Sequence, residues 1–223
     1  GHLQTNSLIN PQRIYPHYPS RPAAVNPVLS GAYQAYGEDI LDKYKPAKDG
    51  LIVEMGSNDG SFLNFFRNQG MQVLGIDPAL NLAEAATKSG IETIPKVFTS
   101  QIARDIKSER GPASVVIGNF VYANIDHLDD VTQGIRELLT PDGVFVFETN
   151  YLVDVFQKHL RETITHEHVS YFSVKPLIGF FQRQGMELFD VERVPSKGGS
   201  IRCAARIANS QQRVTGSFEQ LIA

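Results

Sequence analysis

Cysteine occurs once in the 223 residues, at Cys203. One thiol cannot close an internal disulfide, and it excludes a zinc site built from several thiolates of this chain. No apolar run approaches the ~20 residues that span a bilayer, and the first residues hold no signal-peptide core. Charge of one sign is also scarce: 21 Lys and Arg stand against 24 Asp and Glu, a net charge of -3, and neither sign forms a block. Binding a nucleic-acid backbone or an anionic membrane through bulk charge is thereby disfavoured. These absences predict a reducing, cytoplasmic setting with neither nucleic acid nor membrane as partner, and they leave the oligomeric state open. Tryptophan is missing too, which excludes nothing.

What is present is the composition of a globule, 42% hydrophobic and 20% charged. A chain of this size buries roughly 70% of its unfolded surface, so it needs no covalent staple. Residues 1–27 read as an irregular arm, because Pro11, Pro16, Pro19, Pro22 and Pro27 each remove a backbone donor and bias the preceding residue toward extended conformations. Tyr15, His17 and Tyr18 crowd into this arm. Their rings either pin it to the domain surface or carry it over an active site.

A domain is expected over 28–208 and a tail over 209–223. Apolar residues from Val28 to Tyr44 recur at helical spacing. Strands are then predicted at Leu51–Met55, Gln72–Ile76, Glu92–Ile94, Ser114–Ile117 and Val144–Glu148, and helices at Ser61–Gln69, Asn81–Ser89, Ser100–Ser108 and Leu128–Leu139. Pro141-Asp142-Gly143 reads as the turn before the last of these strands. A helix at Lys175–Gln184 precedes strand-like runs at Met186–Val194 and Ser200–Ile207, which read as an antiparallel hairpin closing the sheet. The alternation predicts an α/β fold with right-handed crossovers, a mainly parallel seven-stranded sheet and helices on both faces.

Glu54-Met55-Gly56-Ser57-Asn58-Asp59-Gly60-Ser61 lies between the first of these strands and its helix. Gly56 and Gly60 permit a tight turn and close approach to a ligand, and the helix N-terminus offers unpaired N–H groups. Asp77, ending the next strand, is placed to accept hydrogen bonds from a ribose, or alternatively to cap the following helix. The spacing is not that of a dinucleotide fingerprint, and no Gly-Lys-Ser/Thr phosphate loop is present.

The run resembles motif I of class I S-adenosylmethionine-dependent methyltransferases, whose fold is Rossmann-like. That resemblance implies S-adenosylmethionine as cofactor, with S-adenosylhomocysteine as product. It implies Glu54, Gly56, Ser57, Asn58, Asp59 and Gly60 around the methionine part of the cofactor, Asp77 and Pro78 at its ribose, and Asn119 and Phe120 beneath it. Together with Gly75-Ile76-Asp77-Pro78, His166-Glu167-His168-Val169-Ser170-Tyr171-Phe172 and Gly198-Gly199-Ser200-Ile201-Arg202, it is similar to the deoxysugar C-methyltransferases. Members of that family methylate a carbon of nucleotide-linked keto-sugars and carry a small zinc-binding domain before this region and another domain after it. Gly1-His2-Leu3-Gln4 resembles the sequence just after the last zinc cysteine, so the chain is expected to be a core of something longer.

C-methylation beside a carbonyl needs a base, and histidine titrates near neutrality. His166, Glu167 and His168, with Tyr18 from the arm, are the expected catalytic group. His166 and His168 share a face if their segment is a strand. The same residues could ligate a metal, but none is assigned. Tyr15, Asn124, Tyr171, Lys197, Gly198 and Ser200 are expected around the substrate. The chain departs from the family at three places: Thr165 stands where tyrosine is usual, and Asn124 and Lys197 where histidine is. Asn cannot act as a base at neutral pH and Thr lacks the acidity of a phenol. His127, near Asn124, either substitutes or sits at the surface. The sequence therefore predicts base-assisted C-methylation of a nucleotide-linked sugar or a similar polar small molecule. An O- or N-methyltransferase, or a non-catalytic module binding cofactor or nucleotide sugar, remains as the alternative.

Overall fold

The segments 51–55, 113–117 and 144–149 are mostly apolar and buried at every residue, as strands covered on both faces are. The computed structural model describes residues 2–5, 14–15, 27–215 and 218–219. Its elements are β1 (Leu3–Gln4), α1 (Pro27–Tyr44), β2 (Leu51–Met55), α2 (Ser61–Asn68), β3 (Gln72–Ile76), α3 (Leu80–Lys88), β4 (Thr93–Ile94), α4 (Ser100–Arg110), β5 (Ala113–Ile117), α5 (Leu128–Leu138), β6 (Leu139–Asn150), α6 (Leu152–Gln157), β7 (Ser170–Tyr171), α7 (Val174–Arg183), β8 (Met186–Val194) and β9 (Ser200–Ile207). The sheet order is β4-β3-β2-β5-β6-β9-β8. From β4 to β6 every neighbouring pair is parallel, and β9 lies antiparallel to both β6 and β8.

Alternate strand residues feed two cores. Leu51, Val53, Met55, Val116, Phe145 and Phe147 pack with Ile106 of α4, Val131 and Ile135 of α5 and Phe181 of α7. Ile52, Val115, Ile117, Val144 and Val146 pack on the other face with Tyr36 and Ile40 of α1 and Phe62, Leu63 and Phe66 of α2. The chain leaves β2 toward β3 on one side and returns through β5 on the other. That reversal opens a crevice at the carboxyl ends of β2 and β5, the usual ligand position in such sheets.

Most elements begin and end within two residues of expectation. Pro141-Asp142-Gly143 does not separate α5 from a strand: β6 starts at Leu139, and this tripeptide bulges out between the Ala113–Leu139 and Val115–Val144 pairs. Proline has no N–H for the ladder, so the bulge falls there. The segment before Thr5, expected to be irregular, pairs Leu3 and Gln4 with Tyr171 and Ser170 of β7. The Thr5 N–H donates to the Val169 carbonyl at 2.9 Å, and the His2 ring lies 5.4 Å from that of Phe172. In the expected tail, the Thr215 N–H donates to the Phe189 carbonyl at 3.1 Å and Phe218 is buried in the first core. His17 and Tyr18 lie outside the described residues. No helix among the described residues is long and apolar enough to cross a membrane.

Candidate active site

The chain turns sharply after β2 because three residues adopt positive φ: Gly56 at +65°, Asn58 at +54° and Gly60 at +74°. Asparagine tolerates that region better than most side chains. At Gly56 a Cβ would also stand 2.3 Å from Val121 Cγ2. The Gly56 N–H donates to the Ile76 carbonyl at 2.7 Å, which stitches the turn to the end of β3. Asp77 completes the attachment. Its two carboxylate oxygens accept the N–H groups of Asn58 (2.8 Å) and Ala79 (2.9 Å). Burial raises its pKa, against the pull of those two donors. Asp77 thus caps the chain before α3, and each oxygen keeps a lone pair for a further donor. The Asp59 carboxylate accepts the Ser61 N–H at 3.1 Å at the start of α2.

Beneath this loop lies a cavity of about 780 Å³. It brings together Glu54, Gly56, Ser57, Asn58, Asp59, Asp77, Pro78, Asn119 and Phe120, nine of the ten residues expected at the cofactor, and also Tyr15 and Asn124. Gly60 shapes the turn from behind, its N–H donating to the Ser57 carbonyl at 2.9 Å. Glu54 is 5% exposed, and its Oε2 has no hydrogen-bond partner among the described residues. Burial, then the carboxylates of Asp77 and Asp59, push the Glu54 carboxyl well above the usual carboxylate range. A buried acceptor left in this state costs about 1–3 kcal/mol, which a cationic donor on a ligand would offset.

On the opposite wall, Tyr36, Glu148 and Arg202 join Asn119 without having been assigned a role from the sequence. The Tyr36 hydroxyl donates to Asn119 Oδ1 at 3.0 Å, and the Arg202 guanidinium stacks 3.5 Å from the Tyr36 ring centroid. Arg202 donates from Nε (3.1 Å) and Nη2 (2.9 Å) to Glu148 Oε2, and Ser196 Oγ donates to the other oxygen of Glu148. Glu148 ends the apolar stretch of its strand run, so the rule placing ligands at strand carboxyl ends would have singled it out. His127 lies at the rim of the cavity with Nε2 3.5 Å from Asp126 Oδ2, and it is largely exposed.

A second cavity is lined by Asn150, Glu162, Thr163, Ile164, Thr165, His166, Glu167, His168 and Lys197. Of these only Glu167 and Lys197 also line the first. The segment 164–169 is not a strand. A turn joins the His168 N–H to the Thr165 carbonyl at 3.2 Å, leaving His166 exposed and His168 half-buried. His168 Nδ1 lies 2.7 Å from the Thr163 carbonyl, which fixes the proton on that nitrogen and leaves Nε2 as acceptor. Burial lowers the His168 pKa, with the nearby Lys197 acting the same way against the Thr163 contact. The ring meets buried Tyr171 edge-on at 5.9 Å between centroids.

Tyr171, Gly198 and Ser200 line neither cavity and act as supports. Ser200 Oγ donates to the Ser196 carbonyl at 2.9 Å. Gly198 adopts φ +83°, and a Cβ on Gly199 would stand 2.6 Å from that of Asp154. Between them and Ser196, Lys197 takes φ +47° and sets its ammonium 3.6 Å from the Phe120 ring centroid. The surrounding protein lowers its pKa, while Glu148 and Glu167 oppose this.

The sequence matches the family model described as "Methyltransferase domain" over residues 31–191. It is 39% identical over 173 residues to the C-methyltransferase NovU of Streptomyces niveus, an alignment covering 78% of this chain and 41% of that protein. The chain thus spans about two fifths of the length of the curated relative it matches. Among solved structures, the PH0226 protein of Pyrococcus horikoshii shares the fold at a TM-score of 0.64 and 15% identity, covering 85% of this chain and 96% of that one. Magnesium protoporphyrin IX methyltransferase of Synechocystis, solved with bound SAH, shares it at 0.59 and 12% identity, covering 82% and 89%.

Proposed function

The chain belongs to the methyltransferase-domain family, and on that premise we propose that it binds S-adenosylmethionine in the first cavity and methylates a carbon of a nucleotide-linked keto-sugar reaching in from the second. The observation that carries the reading is the buried, unpartnered Glu54 oxygen in a crevice at the strand reversal. The residues present fit the cofactor: the Glu54 oxygen accepts from an ammonium group, and the turn from Gly56 to Asp59 surrounds the amino-acid end. The remaining lone pairs of Asp77 take ribose hydroxyls beside Pro78, while Asn119 and Phe120 pass beneath. When bound, S-adenosylmethionine supplies a methyl group on a cationic sulfur.

The chain's own residues supply the rest. His168 takes a proton from the carbon beside the keto group through Nε2, since Nδ1 is held by Thr163 and burial favours the neutral ring. Glu167, at the meeting of the cavities, orients the acceptor, and exposed His166 bounds the second cavity. Tyr15 lines the first cavity, Tyr18 is assigned to the catalytic group with the histidines, and Asn124, Tyr171, Lys197, Gly198 and Ser200 hold or support the acceptor. The 39% identity to a C-methyltransferase supports carbon as the methylated atom. We assign residues 28–208 as the catalytic domain, 209–223 as its tail, and a cytoplasmic setting.

Calorimetric titration with S-adenosylmethionine, S-adenosylhomocysteine and NAD tests the first half. Micromolar binding of the first two, lost in a folded Asp77→Ala variant, is expected. A folded wild-type protein that binds neither, or prefers NAD, overturns it. Mass spectrometry of a keto-sugar panel tests the second half, which fails if methyl appears on oxygen or nitrogen or not at all.

A further inference from the structure

Two features of the second cavity have no chemical step assigned to them in the scheme above. The first is the position of Lys197, the cation among the two residues that line both cavities. Its place is built in. The Lys158 ammonium donates to the Gly198 carbonyl at 3.0 Å, Gly199 packs against Asp154, and Ser196 is tied to Glu148. The second is Asn150, which ends β6 opposite Ser200. It is 5% exposed, lines the cavity, and its Nδ2 finds no acceptor among the described residues. A buried N–H without a partner is unfavourable, and an acceptor oxygen on a ligand would satisfy it. The last torsion of asparagine is soft, so the amide can turn to meet one.

We infer that the Lys197 ammonium and the Asn150 amide together cradle the negative charge that develops on the keto oxygen of the methyl acceptor. This rests on the reading above that the acceptor enters the second cavity. The chemistry balances. His168 Nε2 removes a proton from the carbon beside the carbonyl, the C–H pair forms the C=C bond, and the C=O pair moves onto oxygen, where Lys197 and Asn150 hold it. The carbon then takes the methyl group, the C–S pair stays on sulfur as a thioether, and the carbonyl re-forms. Donors aimed at charge that appears only in the transition state are the largest single catalytic device in many enzymes. Thr165 and Asn124 offer neither a phenol nor an imidazole for that task, and the Asn124 oxygen, buried without a partner among the described residues, is an acceptor. Lys197 and Asn150 supply the donors instead.

The test uses the whole chain with S-adenosylhomocysteine and a thymidine diphosphate-linked 4-keto-6-deoxyhexose as probe. Hydrogen–deuterium exchange beside the keto group, followed by NMR, reads enolate formation without methyl transfer, and kcat with S-adenosylmethionine reads the full reaction. Lys197→Met and Asn150→Leu are each expected to slow both by roughly 100- to 1000-fold. Lys197→Arg restores part of the rate, and the double variant loses less than the product of the two. In Asn150→Leu, which changes the lining of the second cavity and not of the first, S-adenosylhomocysteine affinity stays within about 3-fold, and the variant melts no lower than wild type because it removes an unpaired donor. Wild-type exchange and turnover in both single variants would overturn the inference alone. So would a lowered melting temperature in Asn150→Leu with Asn150→Asp active, which marks Asn150 as structural. A wild-type protein that binds S-adenosylhomocysteine but neither exchanges nor methylates the probe would take the acceptor reading down, and this inference with it.

Discussion

Replacing Glu54 by Gln separates the cost of an empty acceptor from its use. In the free protein the Glu54 carboxyl is buried with one oxygen unpaired and two carboxylates nearby, and its pKa lies well above the ordinary range. A group whose folded pKa is raised binds more protons folded than unfolded. Its contribution to stability is fully present below the unfolded value of about 4.3, and it is lost as pH rises through the folded value. Glutamine has nearly the same shape and no charge. The difference in melting temperature between variant and wild type is therefore expected to be smallest near pH 4 and to grow in the variant's favour with rising pH. Binding moves the other way. Loss of one charge-assisted hydrogen bond costs about 1.5–3 kcal/mol, which weakens S-adenosylhomocysteine roughly 10- to 150-fold. Scanning calorimetry from pH 4 to 8.5 with parallel titration calorimetry reads both. A variant that melts below wild type across that range while binding S-adenosylhomocysteine with undiminished affinity would refute the argument, because Glu54 would then be a structural group with no ligand to meet.

Gly56→Ala places a Cβ 2.3 Å from Val121 Cγ2 at a φ of +65°. Overpacking of about 1–3 kcal/mol and a left-handed penalty of roughly 1–2 kcal/mol should appear in urea unfolding, with cofactor affinity falling alongside. Arg193→Met leaves the fully buried Asp154 carboxylate with Lys158 at 3.4 Å as its remaining cation. Because Arg193 is nearly half exposed, a loss of about 1–3 kcal/mol is expected in place of the larger figure for a fully buried pair. Hydrogen bonding from Arg193 lowers the Asp154 pKa. This contribution is therefore present above the unfolded pKa of about 3.9 and disappears as pH falls through the folded value, so wild type and variant should converge in acid. Asp77→Ala frees the N–H groups of Asn58 and Ala79 as well as the ribose site. It should lower the melting temperature and abolish S-adenosylhomocysteine binding together, whereas a variant that loses only stability would remove Asp77 from the ligand.

The alternation of apolar strand runs with one-sided helices was legible because burial on both sheet faces demands apolar residues at consecutive positions, as in Val115-Val116-Ile117. The turn after β2 was legible for a similar reason, since Gly56 and Gly60 take backbone conformations that few other residues tolerate. The bulge at Pro141 was misplaced as a turn: proline marks where a ladder must break and not what stands on either side. The pairing of Leu3 with Tyr171 joins residues far apart in the chain and has no local signal. The contacts that bring Tyr36, Glu148 and Arg202 to Asn119 went unread for the same reason, since these residues come from α1, the facing ends of β6 and β9, and the loop after β5.

By itself the sequence determined the doubly covered parallel sheet, the glycine turn at its crevice and the residue types gathered around a ligand. Each follows from constraints that act within a few residues: side-chain periodicity, the φ of glycine and the missing N–H of proline. Only the tertiary structure decided that His168 is tucked onto Thr163 while His166 faces water, that Lys197 stands where two cavities meet, and that Glu54 Oε2 and Asn150 Nδ2 are buried without partners among the described residues. Whether a polar atom is satisfied depends on every group that folding brings within about 3 Å of it, and those groups come from distant parts of the chain.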